Sequence, residues 1–169
     1  MKKFRILVLI IVISTTFFGC WKYSFTGASI PVATKTFQVN YFQNYAPLIE
    51  PGLERDFTLA LQDLILNQTR LDLVKSGGDL TYEGEIVEYR ISPTTATADN
   101  TAAQNRLTIS VNIRFFDKND EDAEMEKRFS FFYDYAGNAQ LVGSQKDTAI
   151  NEIFERITQD IFNATLAKW

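Results

Sequence analysis

The chain has a single cysteine, Cys20, among 169 residues. It cannot form an intrachain disulfide, so its fold must be held by core packing alone. Cys20 also closes the opening stretch MKKFRILVLIIVISTTFFGC. Lys2, Lys3 and Arg5 give it a positive head. Residues 6–13 are an unbroken apolar run, and residues 14–16 loosen it before Phe17-Phe18-Gly19-Cys20. A positive head, a short apolar run and a small residue before the cut describe a secretory signal peptide. A transmembrane helix needs about 20 apolar residues, and the uncharged stretch 6–19 is shorter.

The cysteine directly after Gly19 points to specific chemistry. Its thiol can become a thioether to a diacylglyceryl group, and cleavage before it exposes an amine for a further acyl chain. Residues 17–20 resemble the lipobox of a bacterial lipoprotein signal, with Phe17 where leucine is usual. Two or three acyl chains anchor a protein stably, whereas one chain binds only reversibly. The expected division is a lipoprotein signal peptide over 1–19, an N-terminal tether over 20–33 and a single α+β domain over 34–169. An ordinary secretory signal with an incidental cysteine is the alternative at this point.

Charge and composition narrow the function classes. Without Lys2, Lys3 and Arg5, 14 basic residues face 21 acidic ones, a net charge of −7. Such a chain is a poor partner for nucleic acid. There is no histidine, so the commonest general base and the commonest metal ligand are missing. Histidine-dependent triads and thiol metal sites are excluded, and no cofactor, metal or catalytic residue is expected.

Periodicity sets the order of elements. Residues 34–42 read as a strand, with Phe37, Val39 and Tyr41 alternating with Gln38 and Asn40. From Pro51, the spacing of Leu53, Phe57, Ala60, Leu61, Leu64 and Ile65 predicts an amphipathic helix that stops between Asn67 and Leu71. Residues 79–91 form a strand whose apolar face changes near Ile86. That change means a bulge, a sharp twist or burial on both faces, and Gly84 is a candidate for the bend. Residues 92–105, SPTTATADNTAAQN, read as an exposed hairpin loop. Residues 106–116 alternate cleanly, with Arg106 and Arg114 on the polar side. Residues 124–135 return with Phe129, Phe131, Tyr133 and Tyr135 inward. Ser144, with Asp147 three residues on, predicts the N-cap of a second helix that ends near Leu166.

The fold class expected is α+β, a two-layer sandwich with two helices packed on one face of a mixed four-stranded sheet. The chemistry-bearing motifs are weak. Gly77-Gly78 precedes a strand, so it is a turn rather than a phosphate loop. Residues 117–122 look superficially like a calcium loop but lack its central glycine, and Arg128 stands where the twelfth-position glutamate belongs. Two Asn-X-Thr triplets, at Asn67 and Asn163, match the glycan acceptor pattern in or beside helices. Phe42 and Phe132 are aromatic on predicted polar strand faces, where cover by the chain and contact with a partner compete as explanations.

Three stretches together carry a family resemblance. They are residues 20–29 (CWKYSFTGAS), 68–73 (QTRLDL) and 78–86 (GDLTYEGEI). The chain resembles the lipopolysaccharide-assembly lipoprotein family in its Bacteroidetes-type branch, over nearly the whole length after Cys20. The resemblance implies a non-enzymatic lipoprotein of the outer membrane, lipid-anchored at Cys20 and facing the periplasm. It implies a plug in the lumen of the large β-barrel lipopolysaccharide translocon, which supports barrel assembly and helps lipopolysaccharide reach the outer membrane. In the better-studied branch a basic loop patch is linked to lipopolysaccharide. Here the corresponding loop, 92–105, has no lysine or arginine and one acid, Asp99. The remaining candidates for lipopolysaccharide or partner contact are Arg106, Arg114, Lys127, Arg128, Phe132 and Phe42. The competing class is a generic periplasm-facing lipoprotein, a binding or structural module without a barrel partner.

Overall fold

The computed structural model describes residues 30–94, 104–136 and 140–167. The signal peptide, the lipidation candidate Cys20, most of the tether and the middle of the 92–105 loop lie outside the described residues.

The elements run β1 (Thr36–Val39), β2 (Gln43–Asn44), α1 (Leu53–Gln68), β3 (Asp72–Leu73), β4 (Leu80–Thr94), β5 (Gln104–Asp117), β6 (Met125–Ala136) and α2 (Gly143–Thr165). A short 3-10 turn, Glu121–Ala123, sits between β5 and β6. The sheet order is β3-β1-β4-β5-β6, with β2 also beside β4. β1 runs parallel to both β3 and β4, and β2 parallel to β4. β4, β5 and β6 are successive antiparallel neighbours.

The sheet therefore has six strands, where four were expected. The two-layer α+β arrangement with two helices stands. The additional strands, β2 and β3, have two residues each, and two residues carry no readable period. They lie just beyond the strand read over 34–42 and just beyond the end expected for the first helix.

α1 buries Leu53, Phe57, Thr58, Leu61 and Ile65, the stripe its spacing dictates. It begins two residues after Pro51, behind Gly52 in the left-handed conformation (φ 86°). α2 buries Ile150, Ile153, Phe154, Ile157 and Ile161. Its start departs from the expected cap. Val142 occupies the cap position and Gly143 begins the helix with φ 57°. Ser144 is already helical, and its carbonyl accepts the Thr148 hydroxyl at 2.9 Å.

The two helices meet through the Phe57 and Phe154 rings, 5.1 Å apart and edge-on. They cover the inward side chains of β4 and β5, including Tyr82, Ile86, Ile109, Val111 and Ile113, all fully buried. Tyr82 places its hydroxyl 3.0 Å from the Thr165 hydroxyl, so a buried polar atom is satisfied. Burial raises the Tyr82 phenol well above its ordinary range.

Two bulges shape the β4 neighbourhood. Phe37 pairs with Leu80 and Val39 with Tyr82, but Gln43 pairs with Glu85. Four steps along the edge thus match three along β4. A one-residue slip flips side chains to the opposite face, which turns Phe42 inward and leaves Tyr41 exposed. On β4 itself the register shifts between Ile86 and Glu88, so the bulge is the correct reading of the face change. Gly84 lies before it and serves close packing. A methyl there would strike the Asn112 carbonyl and lie 2.9 Å from Phe42 Cε1.

Candidate functional site

The face of the sheet away from the helices carries the polar half of each strand's alternation. Cross-strand register brings unlike charges together there. Glu83 lies opposite Arg114, and Arg114 Nε donates to Glu83 Oε1 at 3.0 Å. Asn40 Nδ2 donates to the other Glu83 oxygen at 3.2 Å. Asn112 Nδ2 donates to Glu85 at 3.2 Å. Arg106 grips Asp134 with two hydrogen bonds, of 2.7 and 2.8 Å, the bidentate geometry that suits a guanidinium.

Glu88 is the hub. Its Oε1 accepts from Arg90 Nε at 2.8 Å. Its Oε2 accepts from Arg128 Nη2 at 2.7 Å and from the Ser110 hydroxyl at 2.8 Å. The Ser110 oxygen also lies 2.9 Å from that of Ser130. The hydrogen bond from Arg90, then that from Ser110, holds the Glu88 carboxyl below its usual range. Asp134 is lowered likewise by the hydrogen bond from Arg106. Exposed pairs of this kind add little to stability. Their larger effect is on surface chemistry: the face is polar and each of these arginines is paired with an acid, Arg90 and Arg128 sharing Glu88.

The expected contact residues separate under this geometry. Arg106, Arg114 and Arg128 share the polar face, each bound to an acid. Phe132 is on the same face and 42 % exposed; the Arg106 guanidinium lies 3.6 Å above its ring, a cation–π arrangement. Lys127 is on the opposite face, since it pairs with the inward Ile113. Its ammonium lies 5.1 Å from the Phe129 ring. Phe42 is wholly buried and edge-on to Phe57 at 4.9 Å, so it packs the core and presents nothing to a partner.

Sequence reading missed Glu88 and the groove beside it. The groove encloses about 440 Å³ and runs between the loop residues Pro47 and Leu48 and the β4 stretch Val87 to Ile91. Arg128 closes one side. Burial pushes the Tyr89 phenol up to about 12, with Glu50 adding to the shift, so it stays neutral there. The face change near Ile86 was the available signal, because the same bulge creates this wall.

Two helices on one face of a sheet and an ion-paired polar face on the other define a two-layer α+β domain. Solved structures share this fold. Protein XCC0632 from Xanthomonas campestris superposes with a TM-score of 0.54 at 9% identity, covering 82% of this chain and 87% of that one. The hypothetical protein CT253 from Chlamydia trachomatis gives 0.51 at 11%, covering 80% and 99%. The PelC dodecamer from Paraburkholderia phytofirmans gives 0.50 at 8%, covering 83% and 94%. At these identities the likeness concerns the fold alone. No curated protein matches the sequence.

The chain belongs to the LptE lipopolysaccharide-assembly family, whose model matches residues 34–165. Proteins of this family are assembly factors and not enzymes. They are lipid-anchored, periplasm-facing lipoproteins of the outer membrane, and they partner with the barrel of lipopolysaccharide transport. At the level of the family the resemblance read in the sequence thus holds, as does the non-enzymatic reading.

Proposed function

We propose that this chain is the plug subunit of an outer-membrane lipopolysaccharide translocon, of the Bacteroidetes-type branch, anchored through acylated Cys20 after loss of residues 1–19. The supporting observation is the polar face. Its arginines are tied to Glu83, Glu88 and Asp134, which leaves a hydrophilic surface without a strong cationic patch. The interior of a transmembrane barrel is polar, and an ion-paired, hydrogen-bonded face suits such a lumen. Arg106, Arg114, Arg128 and Phe132 are the residues proposed to meet the barrel or passing lipopolysaccharide. Lys127, exposed on the opposite face, and Phe42, buried in the core, lie outside the surface proposed here. The chain supports barrel assembly by filling the lumen while the wall closes.

Purification of the tagged full-length chain from native outer membranes in mild detergent tests the partner. Recovery of a large β-barrel is expected, and recovery of the chain alone favours a generic lipoprotein. Cys20→Ala tests the anchor: the variant should leave the membrane fraction, and unchanged retention would refute acylation at Cys20.

A further inference from the structure

The groove beside β4 continues the line of β2. Pairing on that side reaches Asn44 opposite Ile86, and the last backbone bond runs from Tyr45 N–H to the Ile86 carbonyl at 2.8 Å. Pro47 has no N–H to extend the ladder. Among the described residues no strand pairs with β4 on this side beyond Ile86. An edge with free backbone groups is a template for another strand.

The groove walls specify what such a strand carries. Side chains of an added strand alternate between the two faces. Ile91 pairs with the inward Leu107 and so faces the helix side; it and Leu48, exposed at 43 % and 51 %, line the groove together and offer an apolar seat. On the polar side, Arg90 and Arg128 flank Glu88, two positive charges against one negative. A guanidinium has five N–H donors, and both arginine side chains are more than half exposed. The rim is thus left with a net positive charge and spare donors for an acid.

We propose that the β4 edge from Val87 to Ile91 is a docking site for an extended segment of the barrel partner, added as a strand, with an apolar side chain against Leu48 and Ile91 and an aspartate or glutamate against Arg90 and Arg128. This rests on the plug reading above and assigns one contact within it. The recognition mode is strand addition: backbone bonds give affinity, and alternate side chains give specificity.

The test places p-benzoylphenylalanine at position 91, and separately at position 59 on the exposed side of α1, in the full chain in native outer membranes. Illumination should link position 91 to the co-purifying barrel, within one extended segment that has an acidic residue beside an apolar one. Arg90→Gln with Arg128→Gln should cut that adduct about tenfold or more while circular dichroism shows the chain still folded. The proposal is overturned if position 91 links to residues 20–29 of the chain itself, to a second copy or to lipid. It is also overturned if the barrel co-purifies but links only to position 59, or if the arginine variant leaves the adduct unchanged. Absence of any barrel with the wild-type chain defeats the plug reading as well, which separates the two failures.

Discussion

Gly84 and Phe42 form a matched pair at the residue scale. Phe42 packs against β4 only because Gly84 has no side chain there. The Asn112 carbonyl that a Cβ would strike is backbone and cannot rotate away. Gly84→Ala should therefore destabilise the fold by about 1–3 kcal/mol, the range for overpacking. Phe42→Ala should cost about 3–5 kcal/mol, as for other buried phenylalanines. Urea midpoints measure both, and an unchanged midpoint in Gly84→Ala would contradict this packing. Asp79 gives a second test. Its carboxylate accepts the Lys35 and Thr36 N–H groups and the Thr36 hydroxyl, and those bonds, the Lys35 one foremost, lower its pKa. Glu88 and Asp134 are lowered too. A lowered folded-state pKa stabilises above the unfolded value and loses that contribution as pH falls through the folded one. Stability should thus be lost as pH falls below about 4, the unperturbed carboxylate range. With no histidine, no histidine-linked step is expected between about pH 5 and 8. Urea midpoints across pH 3 to 8 check this, and a step near pH 6.5 would count against it.

At the scale of elements, the bulge on β4 is separable from the pairing around it. Ile86 faces Val111, Glu88 faces Ser110 and Tyr89 faces Ile109, with Val87 as the extra residue. Deletion of Val87 should leave a regular ladder with every side chain on its present face. Circular dichroism should be unchanged, while the groove wall beside Leu48 is lost. A collapse of secondary structure in that variant would mean that the bulge holds the strand together. The same geometry explains what could be read from sequence. The β5 alternation was plain because 104–115 pairs without a break against β6, so its period of two persists along that length. β2 and β3 were invisible at two residues each. Phe42 was misread because an unseen bulge inverted the pattern after Val39. The α2 cap was misread because Gly143 turns the chain into the helix one residue ahead of Ser144, without a side-chain cap. Charges on the polar face were legible as alternation, but their partners were not. Partner choice depends on register, and Arg128 reaches Glu88 across the intervening strand β5.

For the whole molecule, location and shape carry the function. One face is closed by helices, the other is polar and ion-paired, and the proposed anchor at Cys20 delivers both to the outer membrane. Nothing in this scheme needs a reaction centre, which accords with an assembly family that does no catalysis. Charge-reversal of one arginine on the polar face, Arg114→Glu opposite Glu83, should weaken barrel recovery without unfolding the chain. Equal recovery would place the barrel contact elsewhere. The most direct measurement is native mass spectrometry of the complex released from outer membranes by mild detergent. A plug predicts one copy of this chain with one copy of a large β-barrel. A chain that emerges alone, or only as an assembly of its own copies, would contradict it.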